Sequence, residues 1–160
     1  GLRIRVQEGS VIGGLVEALG AQSLAMAFGE TYAAILRGAV DGAENNFSTY
    51  YSSGHYQIAK YFSLTEHARI PEIVVGSAPG FAELSARDRE LIARAAMDSI
   101  DYQREEWRAY EAMAEGRLRE AGVSILPVAD QAAWKAYARP LYEALDSRTR
   151  ALADRIRAVR

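Results

Sequence analysis

The chain has 160 residues, of which 49% are hydrophobic and 25% charged, a composition that excludes a disordered chain and a fibrous repeat and allows one domain with a buried core. Cysteine is absent, which excludes disulfides, thiol catalysis and every zinc site built on cysteine. The net charge is −2 and the basic residues are scattered along the sequence, so we expect no nucleic-acid partner.

The chain opens on alternating apolar and polar residues, which predicts a strand over Gly1–Val6. Because no leader precedes this strand, we expect the sequence to be a piece of a longer protein. The alternation places Arg3 and Arg5 on one face of the strand. A guanidinium on a rigid strand suits two-pronged recognition of a carboxylate, although two exposed arginines on a solvated sheet edge would give the same pattern.

Strand and helix signals then alternate, which is typical of an α/β sheet with crossovers. Apolar residues at helical spacing predict a helix after Ser10, its expected cap, with Gly20 as the glycine that ends it. The next predicted elements are strands at Gln22–Met26, Ala39–Glu44, Tyr61–Thr65 and Pro71–Ser77, with a helix at Glu30–Arg37.

A single long helix dominates the second half of the sequence. Ser85, with Asp88 three residues later, resembles a capping box, and the helical stripe behind it continues to Gly122. A helix of about 36 residues would be ~54 Å long, which exceeds the width of one small domain. A strand at Val123–Leu126 and two further helices follow, the first capped by Asp130 and kinked or split at Pro140, and the second over residues 147–160.

Few residues carry recognisable chemistry, and each has an ordinary structural explanation. Glu44 and Asn45 belong to a polar cluster at the end of a predicted strand, where α/β sheets bind ligands but where turns also favour such residues. The spacing of His55 and His67 fits no helical zinc site, so we expect no metal. His67 with Glu44 or Glu66 could form an acid/base couple, but no nucleophile motif accompanies it. Phe28 fits either a core contact or an apolar wall for a ligand.

Taken together, five stretches closely resemble the extracytoplasmic solute-binding proteins of tripartite ATP-independent periplasmic (TRAP) transporters. They are Gly1–Val6 (GLRIRV), Ala18–Ala21 (ALGA), Met26–Tyr32 (MAFGETY), Gly38–Asn45 (GAVDGAEN) and Lys60–His67 (KYFSLTEH). The helix start at Ser85 and the late strand after Gly122 extend the resemblance over essentially the whole chain.

The resemblance implies an α/β fold of the type II periplasmic-binding-protein kind, in which two lobes close on a ligand and a long helix runs along both. It implies that residues 1–68 and 112–142 form the second lobe and that residues 70–111, a crossover strand and the long helix, belong partly to the first. Residues 143–160 would form a C-terminal helix. Compared with a full-length member, the signal peptide and most of the N-terminal lobe are missing.

The resemblance also implies roles for five residues. In the family, the arginine of the G-L-x-x-R strand forms a salt bridge with the substrate carboxylate, which is the position of Arg5. The asparagine after D-G-x-E contacts the same carboxylate, and here it is Asn45. Phe28 of the M-A-F motif would pack against the ligand, and His67 would lie near its polar end with Glu44 as a polar neighbour.

One position departs from the family pattern. Asn46 stands where the family usually has proline. The departure puts the local turn in question but not the contact residue before it.

The function that the resemblance implies is capture of a small organic-acid anion, such as a dicarboxylate, a sialic acid or another carboxylate. Capture would take place in the periplasm, for delivery to the integral-membrane subunits of a TRAP transporter, without a cofactor and without catalysis. The alternatives are a small hydrolase or isomerase that uses His67 and Glu44, and an inactive truncated remnant. Because the apolar strand at Ile73–Val75 would lack its partner, we expect the chain to self-associate.

Overall fold

Five strands and seven α-helices alternate along the computed structural model, which describes residues 1–9 and 11–159. The strands are β1 (Arg3–Val6), β2 (Gln22–Ala25), β3 (Gly42–Ala43), β4 (Tyr61–Leu64) and β5 (Ser124–Pro127). The helices are α1 (Ile12–Ala18), α2 (Thr31–Leu36), α3 (Phe47–Ser52), α4 (Ala78–Glu83), α5 (Ala86–Glu120), α6 (Gln131–Glu143) and α7 (Ser147–Ala158). Short 3-10 helices cover Phe28–Glu30 and His55–Gln57. Ser10, the expected cap of α1, and Arg160 lie outside the described residues.

The strands form two sheets in which every pairing is parallel. β1 lies between β2 and β3, and Arg5 pairs in register with Leu24 on one side and Ala43 on the other. β4 pairs with β5 in the second sheet. Because parallel strands end at the same edge of a sheet, the segments that follow β1, β2 and β3 are neighbours.

The buried core lies beside the second sheet. Tyr50 of α3, Leu118 of α5 and Val123 form its centre, and the ring of Phe47 stacks on that of Phe62 with centroids 4.5 Å apart. The core therefore fixes α3 and the C-terminal end of α5 against β4 and β5.

The expected long helix is present as one continuous element. Ser85 Oγ accepts a hydrogen bond from the Asp88 backbone N–H at 3.1 Å, and Gly122 has φ +78°, the left-handed conformation that favours glycine after a helix. α5 has 35 residues and is about 52 Å long at 1.5 Å per residue. Only Ala114 and Leu118, near its C-terminal end, are buried.

Three sequence-based predictions differ from the structure. Residues 71–77 form no strand, because a strand needs a neighbour for its backbone hydrogen bonds and none lies beside this segment in the described chain. The strand predicted at Ala39–Glu44 is reduced to the two residues of β3. Pro140 lies inside α6 and does not divide it.

Candidate anion-binding site

β1 presents two arginines on the same face, and their surroundings differ. Arg3 forms a two-pronged ion pair with Asp41, with Nη2–Oδ1 at 2.7 Å and Nε–Oδ2 at 3.1 Å. The Arg3 backbone N–H also donates to Asp41 Oδ2 at 2.8 Å. These hydrogen bonds lower the pKa of Asp41 to about 2. Arg3 is thus balanced by a carboxylate of its own sheet.

Arg5 is buried in the middle of this sheet, with 4% of its surface exposed. Its Nε and Nη2 atoms donate hydrogen bonds to the backbone carbonyl of Met26, at 3.0 and 2.8 Å. Within residues 1–9 and 11–159, no carboxylate lies at ion-pair distance from it. A buried charge is costly unless an opposite charge or several hydrogen bonds compensate it. Arg5 is therefore a buried cation whose charge the described chain leaves without an ion-pair partner.

The Phe28 ring lies beside this guanidinium. Phe28 begins the 3-10 helix that follows β2, and its ring centroid is 5.8 Å from the Arg5 Cζ atom. Phe28 is also open to solvent, with 47% of the residue exposed. An apolar surface next to a cation excludes water from one side and strengthens the attraction for an anion.

Glu44, Asn45 and His67 lie beyond the ends of β3 and β4. His67 Nε2 is 3.7 Å from Glu44 Oε2 and has no hydrogen-bond partner in the described chain. The other ring nitrogen, Nδ1, is 2.6 Å from Thr65 Oγ1. Glu66, between Thr65 and His67, has φ +46°, a left-handed conformation that is uncommon outside glycine. Asn45 Oδ1 accepts from the Asn46 backbone N–H at 3.0 Å.

The structure therefore joins four of the five predicted residues into two contacting pairs and leaves Asn45 outside them. Arg5 lies next to Phe28, and Glu44 lies next to His67, while Asn45 precedes the start of α3. No hydrogen bond or ion pair links the two pairs among the residues that the structure describes. Both pairs lie towards the carboxyl ends of parallel strands, where ligands bind in open α/β sheets.

Sequence reasoning missed two contributors to this group. The carbonyl of Met26 holds the Arg5 side chain, and His55 is buried against the Phe28 ring with centroids 5.7 Å apart. Neither contact has a local sequence signal, because each joins residues more than twenty positions apart that only the folded chain brings together.

Within the described ranges, no cluster of three or more histidine or acidic side chains is arranged to hold a metal ion. None of the helices described is both long and apolar enough to cross a membrane.

Comparison with known proteins gives a consistent result. The family model of the bacterial extracellular solute-binding proteins, family 7 (DctP), matches residues 1–148. A solute-binding protein of Chromohalobacter salexigens is 38% identical over 143 residues, which cover 89% of this chain and 43% of that protein. The C4-dicarboxylate-binding periplasmic protein DctP of Rhodobacter capsulatus is 28% identical over 153 residues, 92% of this chain and 45% of the relative.

Solved structures match over the same extent. A TRAP periplasmic solute-binding protein of Bradyrhizobium, in complex with α/β-D-galacturonate, has a TM-score of 0.90 and 37% identity and covers 98% of this chain. A TRAP periplasmic solute-binding protein of Pseudomonas putida F1, with bound D-glucuronate, has a TM-score of 0.93 and 33% identity and covers 100%. This chain covers 53% and 52% of those two chains. It thus spans about half the length of the relatives that it matches.

These matches confirm the resemblance to TRAP solute-binding proteins and the α/β fold of the type II kind. The family and the solved relatives are solute-binding proteins and not enzymes, which confirms the expectation of a binding protein over a hydrolase or isomerase.

Proposed function

Because this chain belongs to family 7 of the bacterial extracellular solute-binding proteins, we propose that it is the ligand-anchoring lobe of a periplasmic protein that captures a small organic-acid anion. Two relatives of known structure carry galacturonate and glucuronate, so a hexuronate is the first ligand to test. Another relative is described as binding C4-dicarboxylates, which makes a dicarboxylate the second.

The observation that carries the proposal is the buried Arg5 guanidinium without a carboxylate partner. A guanidinium has five N–H groups in a planar fork, and the Met26 carbonyl takes one from Nε and one from Nη2. The two N–H groups of Nη1 and the second N–H group of Nη2 remain available. The edge of the guanidinium formed by Nη1 and Nη2 matches the two oxygens of a carboxylate, which would accept two parallel, charge-assisted hydrogen bonds.

The other four residues would complete the site around that anchor. Phe28 would provide an apolar wall, and the Asn45 amide would donate a hydrogen bond to the same carboxylate. His67 and Glu44 would meet the polar end of the ligand. Support comes from the strand ends that carry these residues and from the open side of the Phe28 ring.

The decisive experiment compares two arginines of the same strand in the full-length protein that contains this chain. We expect Arg5→Ala to weaken binding by roughly 30-fold to several-thousand-fold, the usual cost of removing one member of a buried charge pair, about 2–5 kcal/mol. Asn45→Ala should weaken it less. Affinities are measured by titration calorimetry with D-glucuronate, D-galacturonate, succinate and N-acetylneuraminate.

Arg3→Ala is the matched control, because Arg3 has the same side chain on the same face but is paired with Asp41. We expect it to leave the affinity within about twofold of wild type, since exposed ion pairs contribute little. An Arg5→Ala protein whose affinity stays within a few-fold of wild type would refute the assignment.

The same proposal specifies the membrane partners of the protein and the compartment in which it would work. The loaded protein would deliver its anion to the integral-membrane subunits of a TRAP transporter, and it would work in the periplasm, as the names of its relatives state for them. A ligand that contacts both lobes stabilises the closed state by its differential affinity for that state. The present chain alone should therefore bind weakly or not at all.

The division into lobes is part of this proposal. Residues 1–68 and 112–142 would form one lobe, residues 70–111 would belong partly to the other, and residues 143–160 would contain the C-terminal helix α7. The burial along α5 supports the division, because Ala114 and Leu118 are buried whereas Leu91 and Met97 are half-exposed or more. The apolar face left open in this way is the reason why we expect self-association.

A further inference from the structure

His55 is a buried histidine that the proposed site does not use. It begins a 3-10 helix after α3, and 5% of its surface is exposed. Its ring packs against two aromatic rings, with the Phe28 centroid at 5.7 Å and the Tyr32 centroid at 6.2 Å. The Tyr32 hydroxyl is in turn 3.4 Å from Gln57 Oε1. His55 thus connects the element that carries Phe28 with the loop after α3.

The Phe28 ring has two neighbours. Arg5 Cζ is 5.8 Å from the ring centroid, and the His55 centroid is 5.7 Å from it. Phe28 itself lies on a three-residue 3-10 helix and is 47% exposed, so its own element restrains the ring weakly. The buried His55 ring is the firm surface against which it packs.

Charge is consistent with this arrangement. Burial, and to a smaller extent the positive charge of Arg5, lower the pKa of His55 below its usual value of 6.5. The imidazole is therefore neutral at pH 7 and places no second positive charge beside Arg5. A neutral aromatic ring packs on phenylalanine as another aromatic ring would.

We propose that His55 is a positioning residue of the anion site, whose ring holds the Phe28 ring beside the Arg5 guanidinium. This role rests on the proposed function of Arg5 and Phe28, and it adds a residue that does not touch the ligand. Loss of the ring would free Phe28 to rotate and would admit water next to the guanidinium, which weakens the attraction between Arg5 and an anion.

A double-mutant cycle separates this role from a general loss of stability. In the full-length protein, we expect His55→Leu to weaken D-glucuronate binding about two- to tenfold, the range that one aromatic pair contributes. In a Phe28→Leu background the same substitution should have no further effect. His55→Phe should restore affinity, because it returns an aromatic ring to the same place.

Tyr56→Leu is the control substitution. It also removes an aromatic ring, which pairs with Tyr51 at 5.7 Å and with Tyr50 at 6.4 Å between centroids, but these pairs belong to the core cluster and include neither Phe28 nor Arg5. The affinity of this variant should be unchanged. Melting temperatures of all variants identify any that are unfolded.

Two results would overturn the inference while leaving the role of Arg5 intact. One is that His55→Leu leaves the affinity for D-glucuronate unchanged. The other is that His55→Leu weakens binding equally in the wild-type and Phe28→Leu backgrounds. A wild-type protein that binds none of the four acids would instead overturn the proposed function.

If the wild-type protein binds none of the four acids, a measurement without ligand still tests whether His55 positions the Phe28 ring. In NMR spectra of this chain, His55→Leu should shift the Arg5 Nε–H and Phe28 ring resonances, whereas Tyr56→Leu should not. Unchanged Arg5 and Phe28 resonances in His55→Leu would refute the proposal.

Discussion

At the scale of single residues, Arg3 and Arg5 illustrate how folding decides the role of a side chain. Both side chains lie on the same face of β1, so the alternating pattern of the sequence does not distinguish them. Asp41 lies 38 residues further along and reaches only Arg3, whereas the fold surrounds Arg5 with backbone and an aromatic ring. One guanidinium therefore stabilises the sheet, and the other is the one that we propose to recognise an anion.

The ion pair between Arg3 and Asp41 gives a pH-dependent prediction. Because the pKa of Asp41 is about 2 in the folded chain, against an ordinary value of 3.8, its stabilisation is present above about pH 3.8 and is lost as pH falls towards 2. We expect Asp41→Asn to lower the melting temperature by about 1–3 °C at pH 7, since both side chains are partly exposed. The decrease should shrink at high salt.

Thermal denaturation followed by circular dichroism checks this, with wild type and variant compared at pH 7 and pH 2. The two proteins should converge at the lower pH. A constant difference between them would mean that the carboxylate charge is not what stabilises the pair.

His55 gives a second prediction at residue scale, in a different pH range. Its folded-state pKa is lowered, so the unfolded chain takes up a proton at higher pH than the folded chain does. Its contribution to stability is therefore complete above about pH 6.5 and is lost as pH falls below that value. His55→Phe should remove this component, and the melting temperature of the variant should fall less between pH 7.5 and 5.5 than that of wild type. Equal slopes for the two proteins would contradict the assignment.

At the scale of elements, Asn46 explains how the chain tolerates its departure from the family pattern. Its side-chain Oδ1 accepts hydrogen bonds from the Thr49 backbone N–H and the Ser48 hydroxyl, both at 2.8 Å. Asn46 is thus the N-cap of α3, and asparagine is among the best residues for that position. The turn that the missing proline put in question is fixed by a helix cap instead.

Loss of this cap should be measurable. We expect Asn46→Ala to lower the free energy of unfolding by about 1 kcal/mol, as determined by urea denaturation. Asn46→Asp keeps an acceptor in the same place and should remain close to wild type. If alanine and aspartate have the same effect, the cap is not the source of the stability.

Elements defined by local signals were predictable, and those that depend on distant partners were not. The bounds of α5 follow from Ser85 and Gly122, since a cap and a terminal glycine act within one turn of the helix. Residues 71–77 have the apolar pattern of a strand, yet a strand forms only beside another strand.

In the site, the resemblance anticipated the neighbourhood of Arg5 and Phe28. The packing of His55 depends on tertiary contacts and could not be predicted.

At the scale of the whole molecule, the main open feature is an exposed apolar surface around residues 73–75. Ile73, Val74 and Val75 are at least 78% exposed. Val74 and Val75 line a cleft with Phe81 and Ile92 of the adjoining helices. Monomeric soluble proteins rarely leave a contiguous apolar surface of this kind uncovered, and an extended segment with unpaired backbone groups can pair with a second copy.

We therefore expect the isolated chain to form dimers or larger assemblies through this surface, and expect the assemblies to dissociate on dilution. Light scattering coupled to size-exclusion chromatography across a dilution series measures this directly. Val74→Asp places a charge within the surface and should shift the chain towards monomer, because burying an unpaired carboxylate is costly. Leu36→Asp is the matched control, since Leu36 is 64% exposed at the end of α2 and away from this surface. A wild-type chain that remains monomeric at every concentration, or two variants that behave alike, would show that the exposed segment 73–75 does not mediate self-association.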